Sequence, residues 1–260
     1  MSEYLNDLPY EKEELELKEI EDNGLFKQER IITSPQGAKV TICGRRQEKL
    51  KAVSDQIGSN CVFAQADITS KEGRLKAISA ALEHGKGLDA LLNIAGNMYR
   101  KNVEDLEEDK LIEIFHSNVI AGMMLSKESI QYLRESSGSI VFVSSVHTRR
   151  AFTGASPYAA SKGALETLTK VLASELGPSG VRVNCIVPGA VPGEINQRAG
   201  LFSDKEAKIR LEKLIPEHRL GRIGTPKEIA KAIEYLITAD WTTGAILDVD
   251  GGLGLGAIKD

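Results

Sequence analysis

The chain has few cysteines and no long apolar run. Its three cysteines, Cys43, Cys61 and Cys185, are odd in number and widely spaced in apolar stretches, which fits reduced core thiols better than disulfides or metal ligands. No run of about eighteen apolar residues is present for a membrane-spanning helix. The first residues also have neither the basic start nor the apolar core of a secretory signal. We therefore expect a cytoplasmic protein with no metal site and no membrane partner.

Most of the chain also lacks an excess of charge of either sign. The 260 residues are 42% hydrophobic and carry a formal net charge of −4, which argues against a nucleic acid partner and is compatible with one large domain. The acids are concentrated at the start, since residues 1–30 hold ten acids and four bases while the remainder holds 27 acids and 29 bases. We expect an atypical acidic segment over residues 1–36, followed by a single domain over residues 37–260.

From Gly37 onward, short β-rich apolar runs alternate with longer helical segments. This alternation is typical of βαβ units and a mostly parallel sheet in an α/β domain, and nearly all-apolar runs are typical of parallel strands covered on both faces. Residues 190–215 break the alternation, as a lid or binding loop does. The predicted strands are Lys39–Cys43, Cys61–Gln65, Ala90–Asn93, Ser139–Ser144, Arg182–Val187 and Ala245–Val249, and the predicted helices lie near 46–57, 70–84, 105–133, 157–176 and 226–238.

Tyr158 and Lys162 have the spacing of a phenol acid/base with a cation beside it. They lie four residues apart, and Ser145 lies thirteen residues before the tyrosine. On a helix, this spacing places the phenol and the ammonium on one face. A free tyrosine has a pKa of about 10, and a positive charge at about 4 Å and an effective dielectric near about 20 contributes roughly 4 kcal/mol, or about three pKa units as an upper bound. We therefore expect the pKa of Tyr158 to be poised near neutrality.

Further motifs occur in a fixed order between Gly37 and Gly252. They are Asp67-Ile68, Asn93-Ile94-Ala95-Gly96, Asn118, Ser145, Tyr158 with Lys162, and Pro188-Gly189. In this order and spacing the set resembles the short-chain dehydrogenase/reductase family, enzymes that pass a hydride between a nicotinamide cofactor and an alcohol or carbonyl. Residues 144–147 and 247–252 are similar to the glucose dehydrogenase and 3-oxoacyl reductase branches. The resemblance implies one Rossmann-like domain with a doubly wound, mostly parallel sheet.

The resemblance also implies a role for each catalytic residue. Tyr158 would donate or accept the hydroxyl proton, and Ser145 would hydrogen-bond the substrate oxygen as negative charge develops there. Lys162 would lower the pKa of the tyrosine and bind the cofactor ribose, and Asn118 would hold a water that relays protons. The alternative is an exposed helical Tyr-Lys pair and an asparagine that only kinks or caps its helix.

The expected cofactor contacts lie at the ends of several strands. By the same resemblance, Asp67 would accept from the adenine amino group and Asn93 would brace the sheet beside the cofactor, although either residue is also an ordinary turn former. Tyr158 and Lys162 belong to this cofactor set as well. Its other members are Ile68, Ala95, Gly96, Pro188, Gly189 and Val191.

Arg45 and Arg46 follow the strand at which members of this family choose between cofactors. A carboxylate at this place binds a ribose diol, whereas an arginine binds a 2′-phosphate. The pair therefore favours NADP(H), with NAD(H) possible, and the competing interpretation is two solvated arginines that open a helix. Gly193 stands where the family usually has a threonine beside the nicotinamide carboxamide, so that contact is not expected here.

The glycine-rich turn that the family uses for the cofactor pyrophosphate is missing from the first 36 residues. An acidic stretch stands in its place, and Gly24 and Gly37 alone do not build such a turn. Ile31-Ile32 lies too close to the next strand to be its parallel neighbour, and a central strand over Glu14–Ile20 would bury several charges. Three accounts stay open: a shifted reading frame that hides a glycine-rich sequence, a genuine replacement that weakens cofactor binding, and an acidic segment that fills the gap.

Two classes of function remain in view. The first is an NADP-preferring oxidoreductase acting on a small sugar, diol or 3-oxoacyl substrate, and the second is a non-catalytic binding or scaffold subunit. The resemblance implies self-association as a tetramer or dimer through the helices near 105–133 and 157–176, against the alternative of a monomer.

The identity of the substrate is only weakly constrained by the sequence. His147, Arg149 and Arg150 either line the pocket, which favours an anionic or polyhydroxylated substrate, or lie on the surface. The loop over 190–215 adds groups able to bind a sugar or a carboxylate, namely Glu194, Asn196, Gln197 and Arg198.

Overall fold

The computed structural model describes residues 37–256, so the acidic segment 1–36 and its boundary lie outside the described residues. Strands and helices alternate along this range, and the α/β class with a parallel sheet is confirmed. The strands are β1 (Val40–Gly44), β2 (Cys61–Gln65), β3 (Ala90–Asn93), β4 (Ser139–Val143), β5 (Arg182–Pro188) and β6 (Ile246–Val249). The α-helices are α1 (Gln47–Ile57), α2 (Lys71–Gly85), α3 (Glu108–Phe115), α4 (Ala121–Ser136), α5 (Ser156–Leu176), α6 (Ile195–Arg198), α7 (Asp204–Leu214) and α8 (Pro226–Thr238).

All the strand pairs are parallel, but the ladder is divided. One sheet pairs β1 with β2, and the other has the order β3-β4-β5-β6. Within residues 37–256, β1 pairs with no strand except β2, and β3 pairs with no strand except β4. In open α/β sheets ligands bind outside the carboxyl ends of the strands, so the functional residues are expected at these ends.

The hydrophobic core is built around β4 and β5. Ile140, Phe142, Val183 and Cys185 are fully buried and pack against α5, as expected for strands covered on both faces. Cys61 is also buried, but Cys43 is exposed, so the expectation that all three cysteines lie in the core is wrong for Cys43. Its position in the two-stranded sheet gives it less cover than a central strand has.

Helix starts follow local capping chemistry. Ser70 accepts a hydrogen bond from the backbone N–H of Gly73 at the start of α2, and Thr225 and Glu228 form a capping box before α8. Ser203 and Glu206 form a second capping box at the start of α7, within the irregular 190–215 region. Within the described residues, no helix combines the length and the apolar character needed to cross a membrane.

The long helix predicted near 105–133 is interrupted. The structure has α3, then a π-helical turn over His116–Ile120, and then α4. A π-helical turn adds a residue to one helical turn and occurs often at functional sites. Here it carries Asn118, whose side chain is buried beside α5.

Candidate functional site

Tyr158 and Lys162 lie on one face of α5, as their spacing predicts. The Lys162 Nζ atom lies 5.7 Å from the centroid of the Tyr158 ring. Both side chains are buried, with 7% and 3% of their surface exposed, and so is Ser145 at the end of β4. The helix begins with Ser156 and Pro157, so the tyrosine is in the first turn and faces the carboxyl edge of the sheet.

The pKa of Tyr158 is shifted in the opposite direction to the one expected. Burial raises it above the ordinary value, and the hydrogen bond with Ser145 only partly counteracts this effect. Burial also lowers the pKa of Lys162 to about 8, and its Nζ donates to the carbonyl oxygen of Val143 at 2.8 Å. The expectation of near neutrality was wrong because it counted the cation and left out the loss of solvent.

Ser145 is held beside His147. Its Oγ lies 3.0 Å from His147 Nδ1 and accepts from the backbone N–H of His147 at 3.4 Å. The imidazole ring also packs edge-on against Tyr158, with centroids 5.1 Å apart, and lies 4.5 Å from the Phe152 ring. Burial and, to a smaller extent, the charges of nearby Arg100 and Arg210 together lower the pKa of His147 to about 4. The ring is therefore neutral at physiological pH.

Asn118 and Gly96 meet next to Lys162. Asn118 Oδ1 accepts from the backbone N–H of Asn97 at 2.7 Å, while Nδ2 donates to the Asn97 carbonyl at 3.0 Å and to Ser161 Oγ at 3.1 Å. A Cβ atom on Gly96 would lie 3.3 Å from Asn118 Oδ1 and 3.4 Å from Lys162 Nζ. The asparagine therefore fastens the segment after β3 to the helix that carries the lysine.

Asp67 and Ile68 form a tight turn after β2. Asp67 Oδ1 accepts from Thr69 Oγ1 at 2.7 Å and from the Thr69 backbone N–H at 3.0 Å, and these hydrogen bonds hold the pKa of the carboxyl below its usual range. The Ile68 carbonyl accepts from Arg74 Nη1 at 3.0 Å. Gly73 is required here, because a Cβ atom would lie only 2.0 Å from the Asp67 carbonyl oxygen. Asp67 therefore does act as a turn former. Its hydrogen bonds to Thr69 use one carboxylate oxygen and leave the other for a ligand.

The remaining expected contacts also lie at strand ends. Asn93 ends β3 and donates to Ser126 Oγ at 3.4 Å, while its buried Oδ1 has no partner within the described residues. Ala95, two residues on, is exposed. Pro188 ends β5, and Gly189 follows where a Cβ atom would lie 2.7 Å from Asp250 Cα.

The two arginines after β1 are not equivalent. Arg46 Nη1 forms an ion pair with Glu194 Oε2 at 2.8 Å, and Lys49 pairs with the other oxygen of the same carboxylate. These contacts lower the pKa of Glu194 to about 2. Arg45 is exposed and acts electrostatically on Asp67. Arg46 is the N-cap residue of α1 and its side chain remains half exposed, as in the interpretation of solvated arginines that open a helix, and its ion pair connects α1 to the loop after β5.

A cavity of about 140 Å³ lies beside the tyrosine, lined by Ser145, His147, Tyr158 and Val191 among others. His147 is thus in the pocket, but the other two candidates after Ser145 are not. Arg149 pairs with Glu166 at 2.7 Å and Asp248 at 2.9 Å, and Arg150 pairs with Glu217 at 2.7 Å. Carboxylates on neighbouring elements draw both guanidinium groups away from the cavity.

Two charged cavity residues were missed by sequence reasoning. Arg100, after β3, and Arg210, on α7, both line the cavity. They are 110 positions apart in the chain and belong to no motif, so only the fold brings them together. A larger cavity of about 440 Å³ lies beside β6 and contains neither Tyr158 nor Ser145, so the smaller one is the candidate substrate site.

Comparison with known proteins decides the family. A family profile described as enoyl-(acyl carrier protein) reductase matches residues 33–254. The chain belongs to the short-chain dehydrogenase/reductase family. It is 32% identical over 199 residues to an uncharacterised oxidoreductase of Methylorubrum extorquens, covering 75% of this chain and 78% of that protein. It is 29% identical over 236 residues to a versicolorin reductase of Emericella nidulans, covering 85% and 88% of the two chains.

Solved structures of short-chain dehydrogenase/reductases have the same fold. A Caenorhabditis elegans member of unknown function, solved with cofactor, has a TM-score of 0.77 at 28% identity and covers 84% of this chain and 87% of its own. A 3-ketoacyl-(acyl-carrier-protein) reductase from Brucella melitensis, solved with NADH, has a TM-score of 0.75 at 29% identity, covering 84% and 88%. The chain is thus an oxidoreductase of this family with a single Rossmann-like domain.

Proposed function

We propose that this family member is an NAD(P)-dependent enzyme that interconverts an alcohol and a carbonyl on a small polar substrate, with Tyr158 as the general acid/base. The observation that carries the proposal is the burial of Tyr158 and Ser145 against one cavity at the carboxyl edge of the sheet, with the buried Lys162 Nζ atom 5.7 Å from the centroid of the tyrosine ring. A phenol, an ammonium and a hydroxyl that converge in this way can exchange a proton with a substrate oxygen and bind it as charge develops.

The side chains divide the chemistry between them. The nicotinamide cofactor, when bound, supplies or accepts the hydride. With its pKa raised by burial, Tyr158 holds its proton at neutral pH and can donate it to a carbonyl oxygen in the reductive direction. Ser145 binds the same oxygen, and Lys162 places a charge near the phenol. In the oxidative direction Tyr158 must first lose its own proton, and the phenolate oxygen then accepts the proton of the substrate hydroxyl.

The described residues fit most of a dinucleotide. Asp67 and Ile68 would hold the adenine, Arg45 and Arg46 a 2′-phosphate, and Lys162 a ribose. Asn93, Ala95 and Gly96 would border the cofactor, and Pro188, Gly189 and Val191 would border the nicotinamide. Arg198 supports the fit, since it donates to the Gly96 carbonyl at 3.2 Å and lies near Arg45 and Arg46, so the cleft is rich in positive charge. On this basis we favour NADP(H) over NAD(H).

A specific observation favours a second candidate, a family member that acts as a binding or scaffold subunit. The sequence has no glycine-rich turn for the pyrophosphate, and Arg46 is already paired with Glu194. Backbone amides of such a turn are a major part of dinucleotide binding. A chain without them would keep the fold and the side chains but bind the cofactor weakly.

Self-association is part of the proposal. The helices α3, α4 and α5 and the π-helical turn between the first two expose large apolar side chains, including Ile112, Ile120, Met123 and Val171. Exposed apolar patches on neighbouring elements are typical of protein interfaces. We expect a dimer or tetramer through these helices.

The test compares the protein with Tyr158→Phe. Fluorescence titration with NADPH and NADH and an activity screen over sugars, short diols and 3-oxoacyl thioesters are run on both proteins. We expect binding in the micromolar range for both, and turnover only with the tyrosine, because phenylalanine keeps the packing but has no proton to exchange. The loss of kcat is expected to be at least roughly a hundredfold. Binding that is millimolar or absent in the folded protein would instead support the scaffold function.

A further inference from the structure

The substrate cavity is small and has a strongly positive wall. Tyr158, Ser145 and His147 line it together with Arg100 and Arg210. Its volume of about 140 Å³ is below the roughly 300–1,000 Å³ of clefts that hold drug-sized ligands. The ligand that fits beside the tyrosine is therefore a small molecule.

Arg100 and Arg210 have no carboxylate partner within the described residues. The Nη2 atom of Arg100 donates to the Thr153 carbonyl at 2.8 Å, and the Arg210 guanidinium lies 5.2 Å from the centroid of the Phe202 ring. The ion pairs of residues 37–256 involve other basic side chains. This differs from Arg149 and Arg150 nearby, each of which is neutralised by glutamate.

The two guanidinium groups also act on each other and on His147. Burial lowers the pKa of Arg100, and the charge of Arg210 lowers it further. Both charges act in the same direction on the His147 ring. Like charges that face one cavity repel each other, and a bound anion would remove that repulsion.

Two buried polar atoms at the cavity have no partner within the described residues. They are His147 Nε2 and Asn196 Oδ1. An unsatisfied buried polar atom is costly unless a ligand or a water completes it. With its one proton on Nδ1, the neutral imidazole donates to Ser145 Oγ and leaves the serine proton for the substrate, so His147 Nε2 and the asparagine oxygen can each accept from a hydroxyl of the ligand.

We propose that the substrate is a small oxo acid, or the hydroxy acid that is its reduced form, whose carboxylate lies between Arg100 and Arg210. Its carbonyl or hydroxyl carbon then faces Tyr158 and Ser145. Planar guanidinium groups bind carboxylates through paired, charge-assisted hydrogen bonds, which fixes the orientation of the ligand as well as its charge. The inference rests on the proposed function for its reaction, but the anion site itself is independent of turnover.

The test uses acetoacetate and acetoacetamide, which differ only in carboxylate against carboxamide. With NADPH as coenzyme, we expect kcat/KM for acetoacetate to exceed that for acetoacetamide at least about tenfold, as the loss of a charge-assisted contact implies. Arg210→Gln and Arg100→Gln should each remove most of this difference. Arg210→Lys, which keeps the charge, should retain part of the preference.

The controls separate this inference from the proposed function. Arg134→Gln removes the same charge from an exposed position on α4 and should change the kcat/KM of neither substrate. Calorimetric titration of each protein with acetoacetate, without coenzyme, measures the anion site alone. Acetoacetate binding that Arg210→Gln abolishes would support the site even if no turnover occurs. Equal use of both substrates, or acetoacetate binding that neither glutamine variant weakens, would overturn it while leaving the oxidoreductase function in place.

Discussion

Burial of charge and of polar groups dominates the chemistry at the level of single residues. Lys162 is 3% exposed, and its Nζ atom donates to one backbone carbonyl. Removing an ammonium from water favours its neutral form, which is why its pKa falls to about 8. The charge that assists Tyr158 is therefore present at neutral pH and is lost as the pH rises above about 8 in the protein without cofactor.

The spacing of residues along the chain was sufficient to predict some of the contacts at the site but not others. The contact of Tyr158 with Lys162 follows from one helical turn and was readable from the sequence. The direction of the tyrosine pKa shift was not, because it depends on how many side chains from other elements exclude water. Arg100 and Arg210 were missed for the same reason, since nothing in their local sequence indicates that they share a cavity.

His147 provides a prediction for the pH dependence of stability. Its pKa is about 4 in the folded protein against an ordinary value of 6.5, so the unfolded chain binds a proton more readily. The stabilising contribution is present above the unfolded pKa and is lost as the pH falls through the folded value. Between pH 7 and pH 5 we expect the free energy of unfolding to fall by up to about 2 kcal/mol from this residue.

Urea unfolding at the two pH values measures this effect. His147→Asn should reduce the change in unfolding free energy between the two pH values. His84 lies on α2, away from the cavity, so His84→Asn should leave that change as it is in the parent protein. An equal pH dependence in the His147→Asn protein and the parent would show that the imidazole is not responsible.

Among the secondary structure elements, the strands were the most predictable part. Every predicted strand occurs within about one residue of its expected bounds, because parallel strands covered on both faces leave nearly continuous apolar runs. The helix predicted near 105–133 was wrong in its continuity. The π-helical turn at His116–Ile120 carries Asn118, which accepts from the backbone N–H of Asn97 after β3, a contact that has no local signal in the sequence.

The link between α1 and the loop after β5 yields a prediction about coenzyme choice. Glu194 holds Arg46 and Lys49, two cations at the proposed 2′-phosphate position. In Glu194→Gln both cations are released, so we expect the Kd for NADPH to fall roughly two- to fivefold, the range of an exposed ion pair. The Kd for NADH, which has no 2′-phosphate, should change little.

Fluorescence titration with both coenzymes checks this expectation. Glu212→Gln, which removes an exposed carboxylate from α7, is the matched control and should have no effect. Arg45→Ala should act in the opposite direction and weaken the binding of NADPH more than the binding of NADH. If Arg45→Ala weakened both coenzymes equally, the preference for NADP(H) would be wrong.

At the scale of the whole molecule, helices join the two sheets. Helix α2 packs against β1 and β2, and α4 packs against β3. Arg74 on α2 and Glu128 on α4 form a buried bidentate ion pair, with N–O distances of 2.8 and 3.1 Å. Removing one partner of such a pair leaves an uncompensated buried charge and is strongly destabilising. The family fold was predictable because ordered motifs specify it, whereas this bridge between helices distant in sequence was not.

The divided ladder implies that the molecule does not have one uniform stability. A two-stranded sheet on its own is marginal, and β1 and β2 are less buried than the central pair β4 and β5. Amide hydrogens of Val40–Gly44 and Cys61–Gln65 should therefore exchange with deuterium through a local opening, well before those of Ile140–Phe142. Mass spectrometry of exchanged peptides would reveal two protection levels, and a single level across all six strands would mean that the halves unfold as one cooperative unit.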